Sequence, residues 1–362
     1  MTTASESLPP PTSTTGPIAW LRERLFSSPL NAILTILSVW VLLMSVPPFV
    51  EWALIKANFT AGTYQECRAS GGACWAFIGQ KYRLILFGLY PYEEQWRPLI
   101  GAILLVAMIV MSCMPRFWNL SLIAIWIGGL VAVAILMWGG VFGLRYVENT
   151  LWGGLPLTLI LATFGIALAF PFGVLLALGR RSRMPAIKTL CIMYIELIRG
   201  VPLISMLFMS SVMLPLFLPE GYSIDKLLRA QIAIIMFSAA YLAEVVRGGL
   251  QAIPKGQYEG AESLGLNYAQ KMGLVILPQA LKIVIPPLVS LFIAVFKDTS
   301  LVVIIGIYDL MQSAKVSLTD PAWRGFSIEA YVFVSAIYFV FCYSISKYSQ
   351  SLEARLATGH KR

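Results

Sequence analysis

Histidine is all but missing from this chain of 362 residues: the single one, His360, stands near the C-terminus. That removes imidazole-based acid–base work and any His-rich metal site. Charge is scarce as well, at 12% of residues against about 25% in soluble globular chains, which excludes an ordinary soluble domain. Five cysteines are too few for a disulfide framework, and Cys113, Cys191 and Cys342 fall in or beside apolar runs. Only Cys67 and Cys74 stand close enough in a polar loop to be a possible pair, and spacing leaves open whether they close. Nucleophile elbows, metal-spaced cysteine pairs and a dinucleotide fingerprint are absent. Gly260 and Gly265 have the glycine spacing that opens a P-loop, but Leu266 stands where the phosphate-reaching lysine belongs. The expectation is a protein with no catalytic residues, no metal and no cofactor of its own.

What the chain has instead is apolar length: 58% of its residues are hydrophobic. Runs of about 17 to 25 such residues cross a bilayer core of about 30 Å. Eight are expected to span: Leu30–Val50, Leu99–Met114, Leu120–Val141, Leu155–Leu178, Leu190–Leu218, Ala230–Val246, Ile283–Ile307 and Tyr331–Ile345. With the N-terminus inside, cytoplasmic segments collect about 16 of the 27 Lys and Arg, as the positive-inside rule requires. The basic loop Gly179–Lys188 is the sharpest vote, and both termini come out cytoplasmic. Basic residues scattered over short loops do not make a nucleic-acid surface. The first 18 residues, rich in Ser, Thr and Pro, read as a polar tail, with no cleavable leader expected. Trp40, Trp96, Trp118 and Trp152 stand near span ends and read as interfacial anchors.

One cytoplasmic stretch, EGAESLGLNYAQKMGLVILPQA (259–280), is too polar to span. Pro254 suits a first helical turn, Glu259 and Glu262 share one face, and Tyr258, Ala261 and Leu264 share another. Gly265 suits a left-handed C-cap, Asn267 suits the cap of a second short helix carrying Met272, Val275 and Ile276, and Pro278 marks the start of the next span. The expected product is a helix–turn–helix elbow whose apolar ridge needs a partner, either a lipid headgroup layer or another protein.

Glu259-Gly260-Ala261, then Gly265, then Val275-Ile276-Leu277-Pro278 resemble the EAA-type loop of permease subunits in binding-protein-dependent ABC importers. AYLAEVVRGGLQAIPKGQ, LPQALKIVIPPL and FKDTSLVVIIG around it, with GLPLTL and YIELIRGVPL upstream, are similar to the polar amino acid branch, over about residues 150–350. The added N-terminal spans and outer loop resemble the general L-amino acid permeases. In that family the loop is a coupling helix seated in a cytoplasmic ATPase, which implies coupling roles for Glu259, Gly260, Ala261, Glu262, Gly265, Val275, Leu277 and Pro278. Gly260 departs from the usual second-position alanine.

Three polar clusters interrupt the apolar spans, where a charge costs about 2.5 to 3.5 kcal/mol at mid-bilayer. Two are Glu-x-x-Arg-Gly units, Glu196 with Arg199 and Glu244 with Arg247, at helical i, i+3 spacing. They read either as ion pairs holding the bundle or as contacts to a zwitterionic substrate. The third, Lys297-Asp298-Thr299-Ser300, divides an apolar span and reads either as a structural break or as a substrate gate.

The sequence therefore predicts an all-α polytopic membrane protein of about eight transmembrane helices. Residues 1–29 form a cytoplasmic tail, 30–149 hold three accessory spans with an outer loop at 51–97, and 150–350 form a five-helix core with the coupling loop at 251–278. Residues 351–362 form a second tail. The resemblance implies a type I importer permease of the inner membrane, moving L-amino acids inward by alternating access. It further implies two copies of an ATPase that bind ATP and Mg, a second permease chain and a periplasmic binding protein. An ion-coupled secondary transporter is the alternative; no convincing inverted repeat and no channel filter supports the other transport classes.

Overall fold

The computed structural model describes residues 16–219 and 221–357, so most of the N-terminal tail and His360 lie outside the described residues. Among those described, helices dominate and regular β structure is confined to Tyr308–Asp309. Seven helices are long and apolar enough to cross a membrane, and a bent pair makes eight. The chain divides into two compact units between Phe77 and Ile78.

The first unit holds α1 (Pro17–Arg24), α2 (Pro29–Val50) and α3 (Tyr64–Ala69). The tail expected to be wholly polar thus contains a helix, with Ile18 and Trp20 exposed. Ser28 caps α2 by accepting a bond from the Asn31 amide at 3.2 Å, and α2 runs on through a π turn, Glu51–Ile55. No residue of α2 is buried, as suits a helix solvated by lipid on all sides. Beyond it, Cys67 is joined to Cys74, and a Cβ added at Gly72 would lie 2.1 Å from the Lys56 carbonyl. α4 (Trp75–Phe87) begins directly after Cys74, with the Trp75 indole donating to Ala53 O at 2.7 Å.

In the second unit, α5 (Trp96–Ser112) and α6 (Leu120–Trp138) pair as a hairpin. Arg97, wholly buried, ties it by donating to the carbonyls of Leu136 and Arg145, each at 2.8 Å. Leu105, Met108 and Val133 of this hairpin share one apolar cluster with Leu157, Leu161, Ile234 and Phe296. In packing, the second and third accessory spans belong with the core.

The centre of the core is the pair α7 (Gly154–Arg180) and α10 (Lys226–Ala252). Along α7 the small residues Gly165, Ala169, Gly173 and Ala177 recur every four positions and make a groove. A Cβ on Gly173 would lie 2.5 Å from Leu242 Cβ, and one on Gly165 would lie 2.8 Å from Ile234 Cγ2. Lipid gives helices no hydrophobic reason to associate, so this close approach supplies the dispersion contact that holds them.

Between them, α8 (Pro185–Arg199) and α9 (Leu203–Phe208) were expected as one straight span. The structure bends the chain by 99° at Gly200–Pro202. Pro202 has no N–H to continue the ladder and biases Val201 out of the helical region. The apolar run could not reveal this, because composition is continuous across the bend.

Four further helices lead towards the last span: α11 (Lys255–Ser263), α12 (Tyr268–Gln270), α13 (Leu277–Ile283) and α14 (Ile285–Asp298). Pro278 opens α13, not the span; the helix halts at Ile283 because Pro286 and Pro287 supply no amide hydrogens, and the span starts at Ile285. After α14 the backbone tightens into a 3₁₀ helix, Thr299–Ile305, closed by Gly306 at φ +68°. α15 (Leu310–Ser317) follows, and α16 (Ser327–Ala357) is the final span.

Candidate functional site

The elbow is built from local capping rules. α11 ends in a Schellman arrangement: Gly265 N–H donates to Glu262 O at 2.9 Å, and Leu266 N–H to Ala261 O at 3.3 Å. Gly265 takes φ +73°, a left-handed conformation that costs other residues about 1 to 2 kcal/mol. Asn267 then accepts from the Gln270 amide at 2.9 Å while the Gln270 side chain accepts from the Asn267 amide at 3.1 Å, a capping box that starts the second helix. Lys271 closes the elbow by pairing with Glu262 and holds that carboxyl below its ordinary range.

The elbow is bolted to the core from one side only. Arg181, at the end of α7, donates to Leu250 O at 2.9 Å and to the Tyr258 hydroxyl at 3.0 Å, and Tyr258 itself donates to Leu250 O at 3.0 Å. Gln279 reaches Gln257 at 2.9 Å. Ala261 is buried, and Met272 and Ile276 are buried in one cluster with Val246 and Leu250, with Val275 and Leu277 packed at the edge of that cluster. Glu259, Gly260, Glu262, Gly265 and Pro278 face outward.

Leu264 corrects the expected ridge. It was placed with Tyr258 and Ala261, but at the cap of α11 the chain has left helical register, and Leu264 is 79% exposed. Tyr268 and Leu274 of the elbow are uncovered as well, at 59% and 72%.

Next to the elbow, the structure brings both Glu-x-x-Arg units into one network and adds a member the sequence reading missed. Glu244 accepts from Arg180 at 2.7 Å, Arg247 at 3.0 Å and Arg199 at 3.4 Å, while Arg180 also reaches Glu196 at 2.8 Å. Glu244 is the hub, with its side chain 19% exposed; Glu196, at 55%, is peripheral. Arg180 and Arg181 were read only as topology signals in a basic loop. Their position two and three residues beyond Leu178, the end of an apolar run, was the sole available clue.

The cluster Lys297-Asp298-Thr299-Ser300 does not break its helix; it marks the change from α to 3₁₀ winding. Thr299 is buried and donates to Phe296 O at 2.8 Å, Lys297 is exposed, and Asp298 and Ser300 are half-buried. The actual stop is Gly306.

At the far ends of α7 and α10 the chemistry is different. Asp309 is fully buried, and its carboxylate accepts from the Met311 and Gln312 amides at 3.1 and 3.0 Å to cap α15. Burial pushes its pKa up to about 6. Thr158 accepts from the Leu310 amide at 3.1 Å, and the Tyr338 hydroxyl faces this group without an aligned hydrogen bond. Beside it lies a cavity of about 110 Å³. Trp152, one of its walls, is only 4% exposed, and so is not the interfacial anchor expected; Trp40, Trp96 and Trp118 are about half exposed or more.

With this geometry in hand, relatives are informative. Residues 169–357 match the family described as binding-protein-dependent transport system inner membrane component. The chain is 53% identical over 349 residues, 94% of each chain, to the inner membrane amino-acid ABC transporter permease protein YhdY of Escherichia coli K12. It is 37% identical over 420 residues, 98% of this chain and 96% of the other, to the glutamate/glutamine/aspartate/asparagine transport system permease protein BztC of Rhodobacter capsulatus. A crystal structure of an amino acid ABC transporter with histidines aligns at TM-score 0.49 and 35% identity, over 55% of this chain and 90% of that one.

Proposed function

Because the chain belongs to the family of inner-membrane permease components of binding-protein-dependent ABC transporters, we propose that it carries L-amino acids inward by alternating access. ATP hydrolysis on two copies of a separate ATPase subunit drives it, a periplasmic binding protein feeds it, and a second permease chain completes the path. ATP and Mg belong to the ATPase; this chain supplies the lever.

The observation that carries this reading is the elbow. Its inner side is fixed to α7 and α10 through Arg181, Tyr258 and Leu250, while its outer side leaves Leu264, Tyr268 and Leu274 uncovered. A partner docked on these residues passes its displacement through those hydrogen bonds to the ends of two spans. The hub around Glu244 stiffens the same junction, so its charges serve as a brace for the lever. The positive-inside count supports an elbow and both termini on the cytoplasmic side, where an ATPase is available.

The test uses Leu264→Asp and Leu274→Asp, whose side chains are 79% and 72% exposed and so leave the fold intact. Wild type is expected to co-purify with its ATPase and both variants to lose it. Folded wild type that retains no ATPase, together with uptake that follows an ion gradient, would replace this reading with a secondary transporter.

A further inference from the structure

The cavity at the far end of α7 and α10 lies a full 27-residue helix, about 40 Å, from the elbow. Its walls include Trp152, Asp225, Lys226, Gly306 and Tyr308. At about 110 Å³ it holds several waters' worth of space, since one water needs about 10 to 15 Å³.

Three features mark it as more than a packing gap. The indole N–H of Trp152 is buried and has no hydrogen-bond partner, although its ring is fixed against Trp138 with centroids 4.6 Å apart. A buried donor left unpaired is costly, so its survival asks for an acceptor that arrives from elsewhere. Lys226 brings a cation to the same wall at the first turn of α10, whose amide ends add positive potential. A Cβ at Gly306 would lie 3.3 Å from Lys226 Nζ, so the glycine keeps the ammonium's position clear. Asp225 uses one carboxylate oxygen to cap α10, accepting from Leu228 N–H at 3.0 Å, and its other oxygen makes no hydrogen bond among the described residues.

We propose that this cavity receives the head group of a small zwitterionic amino acid. Lys226 and the Trp152 N–H take the α-carboxylate, and the free Asp225 oxygen takes the α-ammonium. The proposal rests on the transport reading and gives it a receiving site on the side opposite the elbow, before the amino acid enters the span region.

The experiment is equilibrium binding of radiolabelled L-glutamine and L-glutamate to the full-length permease in nanodiscs, with no binding protein present. Saturable binding is expected, with the α-amides of both ligands competing at least tenfold more weakly. Lys226→Met, at an exposed position that leaves folding alone, should weaken binding at least tenfold. Trp152→Phe, which keeps the ring contact and deletes the N–H, should weaken it about five- to tenfold. Wild-type affinity in both variants, or no saturable binding at millimolar ligand, overturns the site. ATP-driven uptake by the assembled transporter is measured alongside. Uptake without binding removes the site and keeps the transport reading, whereas absent uptake removes that reading and leaves the cavity to be judged by binding alone.

Discussion

The two ends of the α7–α10 pair solve the problem of polar groups in an apolar bundle in opposite ways. At the elbow end, three arginines and two glutamates pair in a single network around Glu244. At the far end one carboxylate, Asp309, is buried with backbone amides as its main partners, next to an unpaired Trp152 and a cavity. A saturated network resists rearrangement, because losing one partner strands the others. An undersaturated group invites a proton or a ligand. The comparison teaches that this core saturates its polar groups at the elbow end and leaves them open to a partner at the far end.

Removing the hub should break the comparison most severely. Glu244→Ala leaves three arginines facing each other at partial burial and is expected to cost about 3 to 5 kcal/mol, read as a drop in detergent-solubilised melting temperature. Glu196→Ala, at the exposed edge, should cost well under that; equal losses would mean that the network has no centre.

Asp309 tests the other end. Between pH about 4 and about 6 the unfolded chain has released this proton while the folded chain still holds it, so stability falls as pH rises through that window and levels off above it. A rise from 3.8 to about 6 corresponds to about 3 kcal/mol. Asp309→Asn keeps a capping side chain and should flatten the pH profile; an unchanged slope would show that another group carries it.

Between the ends, Gly173→Val pushes atoms into Leu242 and should cost about 1 to 3 kcal/mol while lowering uptake, whereas the same change at Gly128, which has open space, should be tolerated. The smallest effect belongs to the elbow. A Cβ at Gly260 meets nothing within 4 Å, so Gly260→Ala should stabilise α11 by about 0.5 to 1 kcal/mol. If thermal stability rises but ATPase affinity falls, the missing methyl makes room for the docked partner.

Much of this was legible in the chain because the relevant rules are local. Apolar length located every span, but not every end: α10 starts early at the Asp225 cap and runs on past Val246 to Ala252, and α16 continues from Ile345 to Ala357, because a helix carries on through polar residues once it leaves the apolar run. Gly265 and Asn267 announced the elbow's turn and second helix through their own conformational preferences. What was misread depended on neighbours distant in sequence. Leu264 looked like a ridge residue until the cap rotated it outward, Trp152 looked like an anchor until Trp138 covered it, and Arg180 looked like a topology signal until Glu244 claimed it.

The sequence by itself determined that this protein crosses the membrane many times, which residues cannot lie in lipid, and where the chain must turn. Those follow from transfer free energies and from backbone preferences that each residue carries alone. Only the tertiary structure decided which arginines share one glutamate, where the bent span folds on itself, and which tryptophan N–H is left without a partner. Hydrogen bonds and ion pairs form over about 3 Å, and that proximity is set by how helices far apart in sequence pack.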